Sequence, residues 1–324
     1  MGPSRSVRRS TIDLLSADRR EPVNARSGSR ALAVAALAGT TLAWAGIYIV
    51  GDGVVETIDP ISLTFLRWGP AAILLLIIAQ LVERPDWRKV LRQWPKLLLL
   101  GCLGMAAFSI LMLEGLRQTS PVNSSLIGAS GPVLIAVAAA LVLRQRIGWR
   151  MIVGLAISLI GVVLVVTQGS LETLLSVGVN PGDLWVILAT ICWTIYTIAG
   201  RIQAGIPVIT SAAVQAVFAT VVLAILVSFT GLQLPHDTPT WVGVGYIALI
   251  GSAVAMYFWT FALRTLQPAV AGILLNLNPF FTVCLTLIIG GTVGTWEIFG
   301  GLVIIGGVLL GTVPGRRRSA VPVR

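Results

Sequence analysis

The sequence predicts an all-α integral membrane protein, with ten transmembrane helices arranged as two inverted five-helix repeats. Composition, the spacing of apolar runs and a repeat at near-constant offset carry this expectation. The 324 residues are 56% hydrophobic and 11% charged, with 34 glycines. Counting glycine and leaving out tyrosine, about 65% of the chain is apolar, against roughly 45–50% in soluble domains, where charged residues run near 25%. A water-soluble enzyme, a disulfide scaffold and a disordered chain are excluded on this ground.

A spanning helix needs about 20 mostly apolar residues, and ten runs qualify. The first, Ala31–Val50, follows the Ser- and Arg-rich segment Met1–Arg30, read as a disordered basic cytoplasmic tail. That run is too long, and preceded by too much polar chain, for a signal peptide. Ile61–Val82 opens after Asp59-Pro60 and stops at Glu83-Arg84, and Leu97–Leu116 lies between Lys96 and Arg117. Pro121–Leu143 opens on a proline, which a first helical turn tolerates, and ends at Arg144. Met151–Thr167, the shortest, sits between Arg150 and a polar loop. The second set is Gly182–Ile202, Ile206–Thr230, Trp241–Leu266, Pro268–Gly290 and Trp296–Val313, followed by a basic tail over 314–324.

The net charge of +10 suggests a nucleic-acid partner only until the basic residues are placed. With the N-terminus inside, 21 of the 23 Lys and Arg residues fall in cytoplasmic segments. Arg117 lies outside and Arg67 within a span. The positive-inside rule then sets the topology: multi-pass in the cell membrane, both termini cytoplasmic, with no nucleic-acid partner required. Cys102, Cys192 and Cys284 lie within apolar runs and His236 in a short loop, so neither metal nor cofactor is expected.

Adding 147 to Gly104, Leu116, Arg117, Pro121 and Pro132 gives Gly251, Leu263, Arg264, Pro268 and Pro279, with identical residue types. Gly154 and Gly161 recur as Gly300 and Gly307 after a one-residue slip, and Trp44 corresponds to Trp193. The repeats cover residues 31–168 and 182–313. Five spans is an odd number, so the second repeat is upside down relative to the first. Inverted repeats of this kind are a hallmark of secondary transporters, whose substrate sites lie near the midplane between the repeats.

The residues Trp44, Pro60-x6-Arg67-x3-Ala71, Leu116-Arg117-Gln-Thr-Ser-Pro121 through to Pro132, Gly182-Asp183-Leu and Cys192-Trp193 carry a family resemblance. The chain resembles the drug/metabolite transporter superfamily, with two EamA-type domains over most of its length. That resemblance implies a secondary transporter, usually an exporter, of small metabolites such as amino acids or related compounds. It departs from the family at Gln145 and Gly291, where relatives carry an acidic residue.

Few polar residues lie within the spans, and each has two readings. Arg67 lies roughly 10 Å from the outer edge at 1.5 Å per residue, where a charge costs about 2.5–3.5 kcal/mol. It either snorkels or pairs with Glu114, or it holds an anionic substrate group. Glu114 either pairs with Arg117 at i,i+3 or binds a coupling proton. Asp183 reads as a helix N-cap.

Pro132 and Pro279 sit near mid-span and free the carbonyls of Gly128 and Leu275, marking helix breaks or hinges. Asn123, Ser124, Ser125 and Ser130, with Asn276 and Asn278, read as a polar cavity at that depth or as inter-helix glue. Trp44 with Tyr48, and Trp193 with Tyr196, line the same cavity or pack the core, and Gln215 corresponds to Arg67 within one residue. The glycines Gly154, Gly161, Gly300, Gly307 and Gly311 allow close helix approach, inside a monomer or between two copies in a homodimer. An uncoupled facilitator or channel, and an intramembrane enzyme, are the competing functions.

Overall fold

The computed structural model describes residues 23–50, 54, 57–119, 121–175, 178, 180–202 and 205–312. Most of the two basic tails therefore lies outside the described residues. The exception is 23–30, which is helical rather than disordered because the first helix starts at Val23.

Ten helices are long and apolar enough to cross a membrane. They are α1 (Val23–Val50), α2 (Pro60–Glu83), α3 (Trp94–Gln118), α4 (Pro121–Ala129 and Gly131–Val142), α5 (Trp149–Thr167), α6 (Pro181–Ile202), α7 (Val208–Thr230), α8 (Thr238–Thr265), α9 (Pro268–Leu275 and Leu277–Ile288) and α10 (Thr295–Thr312). Local chemistry sets several starts. Asp59 Oδ1 accepts from the N–H groups of Ile61 and Ser62, which places the start of α2 at Pro60. Asp237 accepts from Thr240 N–H at 2.8 Å and starts α8 before Trp241. That backbone bond holds the Asp237 carboxyl below the usual carboxylate range.

Both repeats deform at matching places. α4 is interrupted at Ser130 and α9 at Asn276, just ahead of Pro132 and Pro279. Each proline lacks an N–H for the preceding turn, so the ladder fails there. α3 and α8 carry π-helical segments at Cys102–Ala107 and Leu249–Val254, 147 residues apart. A π turn inserts a residue into the ladder and is a recurrent feature of functional sites.

The inversion is visible in the seam between α2 and α7. The start of α2 meets the segment after α7, with Asp59 N–H donating to Gln233 Oε1 at 2.9 Å. The end of α2 meets the start of α7, with Thr210 N–H donating to Glu83 Oε2 at 2.7 Å. The two helices are therefore antiparallel. Outward faces present Ile73, Ile77, Leu141, Val221, Leu302 and Leu309, as a lipid-facing surface requires. The face where α2, α4, α6, α8 and α10 end carries Arg84, Arg88, Lys89, Arg92, Lys96, Arg144, Arg146, Arg150, Arg201 and Arg264, and is called the basic face below.

α5 and α10 are held at backbone contact by glycine. A Cβ on Gly154 would lie 2.6 Å from Gly307 O, and one on Gly161 would lie 2.8 Å from Gly300 O. The glycine face thus packs within the monomer. Backbone cannot move aside as a flexible side chain can, and overpacking of this sort costs about 1–3 kcal/mol. Gly161→Val is expected to lower the thermal midpoint in detergent, whereas Gly306→Ala, where a Cβ meets nothing within 4 Å, leaves it unchanged.

Candidate functional site

The repeats meet in an aromatic junction built from α1, α3, α6 and α8. Trp193 is its hub, with ring centroids 5.2 Å from Trp44, 5.0 Å from Trp259, 4.9 Å from Phe108 and 5.2 Å from Tyr196. Trp44 and Trp259 are 5.8 Å apart. Offset and edge-to-face rings at these distances attract beyond their area burial. Trp44 and Trp193 sit in equivalent helices, so one residue type meets itself across the pseudo-two-fold axis. Trp259 breaks the symmetry, because Met112 occupies its position in the first repeat.

The π segment of α8 supplies the polar edge of this junction. Gly251 O accepts from Trp44 Nε1 at 3.0 Å and from Arg67 at 3.4 Å. Arg67 Nε donates to Ser252 Oγ at 2.5 Å, and that hydroxyl donates to Ile247 O at 2.8 Å. In the other repeat, Met105 O accepts from Trp68 Nε1 at 3.0 Å. The π segments of α3 and α8 thus each offer a carbonyl to an indole. A Cβ on Gly251 would lie 2.6 Å from Ile47 Cδ1, so a larger residue here would require the Ile47 side chain of α1 to shift.

Arg67 therefore neither snorkels outward nor pairs with Glu114. Among the described residues the ion pair present is Asp86–Lys89, at 3.3 Å. Glu114 accepts from Gln118 Nε2 at 3.4 Å, one turn on toward the end of α3.

Two buried polar atoms at the junction or in the helices beside it lack a protein partner, Trp259 Nε1 and Gln215 Oε1, and Asn278 Oδ1 on α9 is unpartnered as well. Gln215 Nε2 is held by Ser211 Oγ at 2.8 Å. Leaving such an atom unpaired costs about 1–3 kcal/mol, and native structures retain few of them. Toward the basic face a cavity of about 20 Å³ is lined by Tyr196, Gly200, Gln215, Thr260, Leu263 and Arg264. It has room for roughly one water and not for a metabolite.

The remaining polar candidates separate into distinct places. Asn123 is not near Asn276. It donates to Asp183 Oδ1 at 3.2 Å and to Gly178 O at 2.7 Å, beside Thr119, whose hydroxyl donates to Asp183 Oδ1 at 2.5 Å. Asp183 is the third residue of α6, and its Oδ2 accepts from Asn180 N–H at 2.8 Å. This is the reach-back half of a capping box rather than an N-cap. Ser124 is buried one residue on from Asn123.

Ser130 turns its hydroxyl to Ile127 O at 2.6 Å, within the break of α4. Asn276 donates to Ser158 Oγ at 2.8 Å and ties the break of α9 to α5. Gln145 bonds Gln267 at 2.8 Å, joining two loops on the basic face. The side chain of Tyr48 lies outside the described residues. Trp259, Ser252 and Phe108 were missed from the sequence, although Ser252 follows the repeated Gly251 and Trp259 is one of only 10 tryptophans.

A family model described as the EamA-like transporter family matches residues 31–167 and 180–313. The chain is 28% identical over 256 residues to the "Uncharacterized transporter YyaM" of Bacillus subtilis (strain 168), covering 78% of this chain and 84% of that one. It is 27% identical over 263 residues to the "Uncharacterized inner membrane transporter YedA" of Escherichia coli (strain K12), covering 79% and 82%. A solved crystal structure with 18% identity superposes with a TM-score of 0.73 over 87% of this chain and 97% of that one. With both five-helix repeats matched, the chain belongs to the EamA-like transporter family.

Proposed function

We propose that the protein is a secondary transporter that exports small metabolites, amino acids or related compounds, by alternating access between its two repeats. The basic face is cytoplasmic on this reading, which the positive-inside rule supports. The observation that carries the proposal is the junction itself. Helices of both repeats converge there on stacked aromatics, the unpartnered buried polar atoms of Trp259 and Gln215, and a guanidinium held on a π segment. Separating the repeats on either side opens that junction to water, and substrate groups then satisfy the polar atoms.

Arg67 supplies the charge for a substrate carboxylate or other anionic group, and the indoles supply the apolar wall. A hydrogen bond to a charged group contributes about 1.5–3 kcal/mol, or roughly 10- to 100-fold in affinity. An uncoupled facilitator or exchanger is favoured as a second reading by the placement of the acids. Glu83 caps α7, Glu114 lies beside Gln118, and Asp183 lies in the polar cluster at the other end. Transport rather than intramembrane catalysis is the reading that the family match supports.

Reconstitution into proteoliposomes with an amino-acid panel, with and without a pH gradient, tests the proposal. Saturable movement of at least one compound is expected, and movement of none would contradict it. For that compound, Arg67→Gln is expected to raise the half-saturation concentration at least about tenfold with little change in thermal midpoint. Glu114→Gln is expected to leave any gradient-driven accumulation intact, measured with and without a protonophore. Trp193→Ala should lower both transport and stability, the latter by about 3–5 kcal/mol, while Trp193→Phe retains most of each.

A further inference from the structure

Glu83 caps a helix that belongs to the other repeat. Asp59 and Pro207 are the N-cap residues of α2 and α7, 148 positions apart. In α2 the cap is local, with Asp59 Oδ1 accepting from Ile61 N–H at 3.0 Å and Ser62 N–H at 2.9 Å. Pro207 has no side-chain acceptor, and the equivalent donors of α7 go elsewhere. Ile209 N–H donates to Glu83 Oε1 at 2.9 Å, and Thr210 N–H donates to Oε2 at 2.7 Å. The Thr210 hydroxyl adds a third bond to Oε2 at 2.7 Å.

Arginines of the second repeat brace the segment that leads into α7. Arg264 of α8 donates to Ile206 O, just ahead of α7. Arg201 of α6 donates to Leu263 O at 2.9 Å and Arg264 O at 2.7 Å.

The opposite end of the same seam is also bridged, there by a neutral residue. Gln233 Oε1 accepts from Asp59 N–H at 2.9 Å, and Gln233 N–H donates to Ser62 Oγ at 2.9 Å. Ser62 and Thr210 are also 148 positions apart. At each end, a residue at or just past the end of one helix holds the start of its inverted partner. Charge-assisted bonds are roughly twice as strong as neutral ones, so the basic end is the more firmly closed.

We propose that Glu83 is a positioning residue of the transport cycle, an inter-repeat latch that holds the basic face shut and breaks when that face opens. The proposal rests on the alternating-access reading above. When the latch breaks, the freed N–H groups of Ile209 and Thr210 face water entering from that side, so opening does not leave them buried and unpaired. Gln233 is the corresponding latch at the opposite face.

The test is a single Asn278→Cys probe near mid-depth, in the full chain with Cys102, Cys192 and Cys284 replaced by Ala. It is reconstituted in sided vesicles and labelled by a membrane-impermeant maleimide added to one face at a time. Glu83→Ala is expected to raise the labelling rate from the basic face at least about tenfold. Gln233→Ala is expected to raise it from the opposite face, and Glu83→Gln, which keeps one acceptor oxygen, is expected to lie between Glu83→Ala and wild type. Pro207→Asp restores a local cap on α7, so the Glu83→Ala/Pro207→Asp pair regains thermal stability yet still labels fast from the basic face. If that pair labels as slowly as wild type while Gln233→Ala still shifts the opposite face, Glu83 is only a cap and the proposal is overturned. If no variant redistributes labelling between faces, alternating access itself fails.

Discussion

Every backbone N–H and C=O that enters the hydrocarbon layer must find a partner within the protein, and here several of the places where a helix cannot supply its own are met by the other repeat. The start of α7 takes Glu83 from α2, and the π carbonyl of Gly251 takes Trp44 from α1 and Arg67 from α2. The break in α9 is tied by Asn276 to Ser158 of α5. The two five-helix units are therefore stitched at their own weak points, and moving one against the other changes those points first.

Symmetry explains the scaffold and its breaking explains the site. The paired π segments, the paired helix breaks and the paired tryptophans Trp44 and Trp193 follow from one unit used twice. The chemistry lies where the copies differ. Arg67 corresponds to Gln215 and Trp259 to Met112, and the seam that Glu83 holds at one end is held at the other by Gln233, two residues off the 148-residue offset. A symmetric junction would offer the same groups to both sides, whereas this one places its span guanidinium in one repeat and its third indole in the other.

The sequence made the scaffold legible because hydrophobic runs and a constant offset are one-dimensional signals. All ten spans and the inversion were readable from them. Depth and facing were not. Asn123 and Asn276 were grouped because both lie in proline-bearing spans, yet Asn123 belongs to the cluster around Asp183 at one end and Asn276 sits at the break of α9. Glu83 passed as a boundary charge beside Arg84, since nothing local says that its partners lie on α7. Trp259 was hidden by the lack of a tryptophan at its first-repeat counterpart. The π segments had a visible trace in the repeated Gly104 and Gly251, but a helix that adds one residue to a turn cannot be told from a regular one by composition.

The central claim, that the repeats move against each other about the aromatic junction, is tested most directly by two inter-repeat distances measured by pulsed electron spin resonance in proteoliposomes. One spin-label pair, Leu91 and Thr265, reports the basic face, and another, Arg117 and Leu234, reports the opposite face. The account predicts two populations for each pair, shifting in opposite senses when a transported compound is added. A single unchanged distance in both pairs would contradict it.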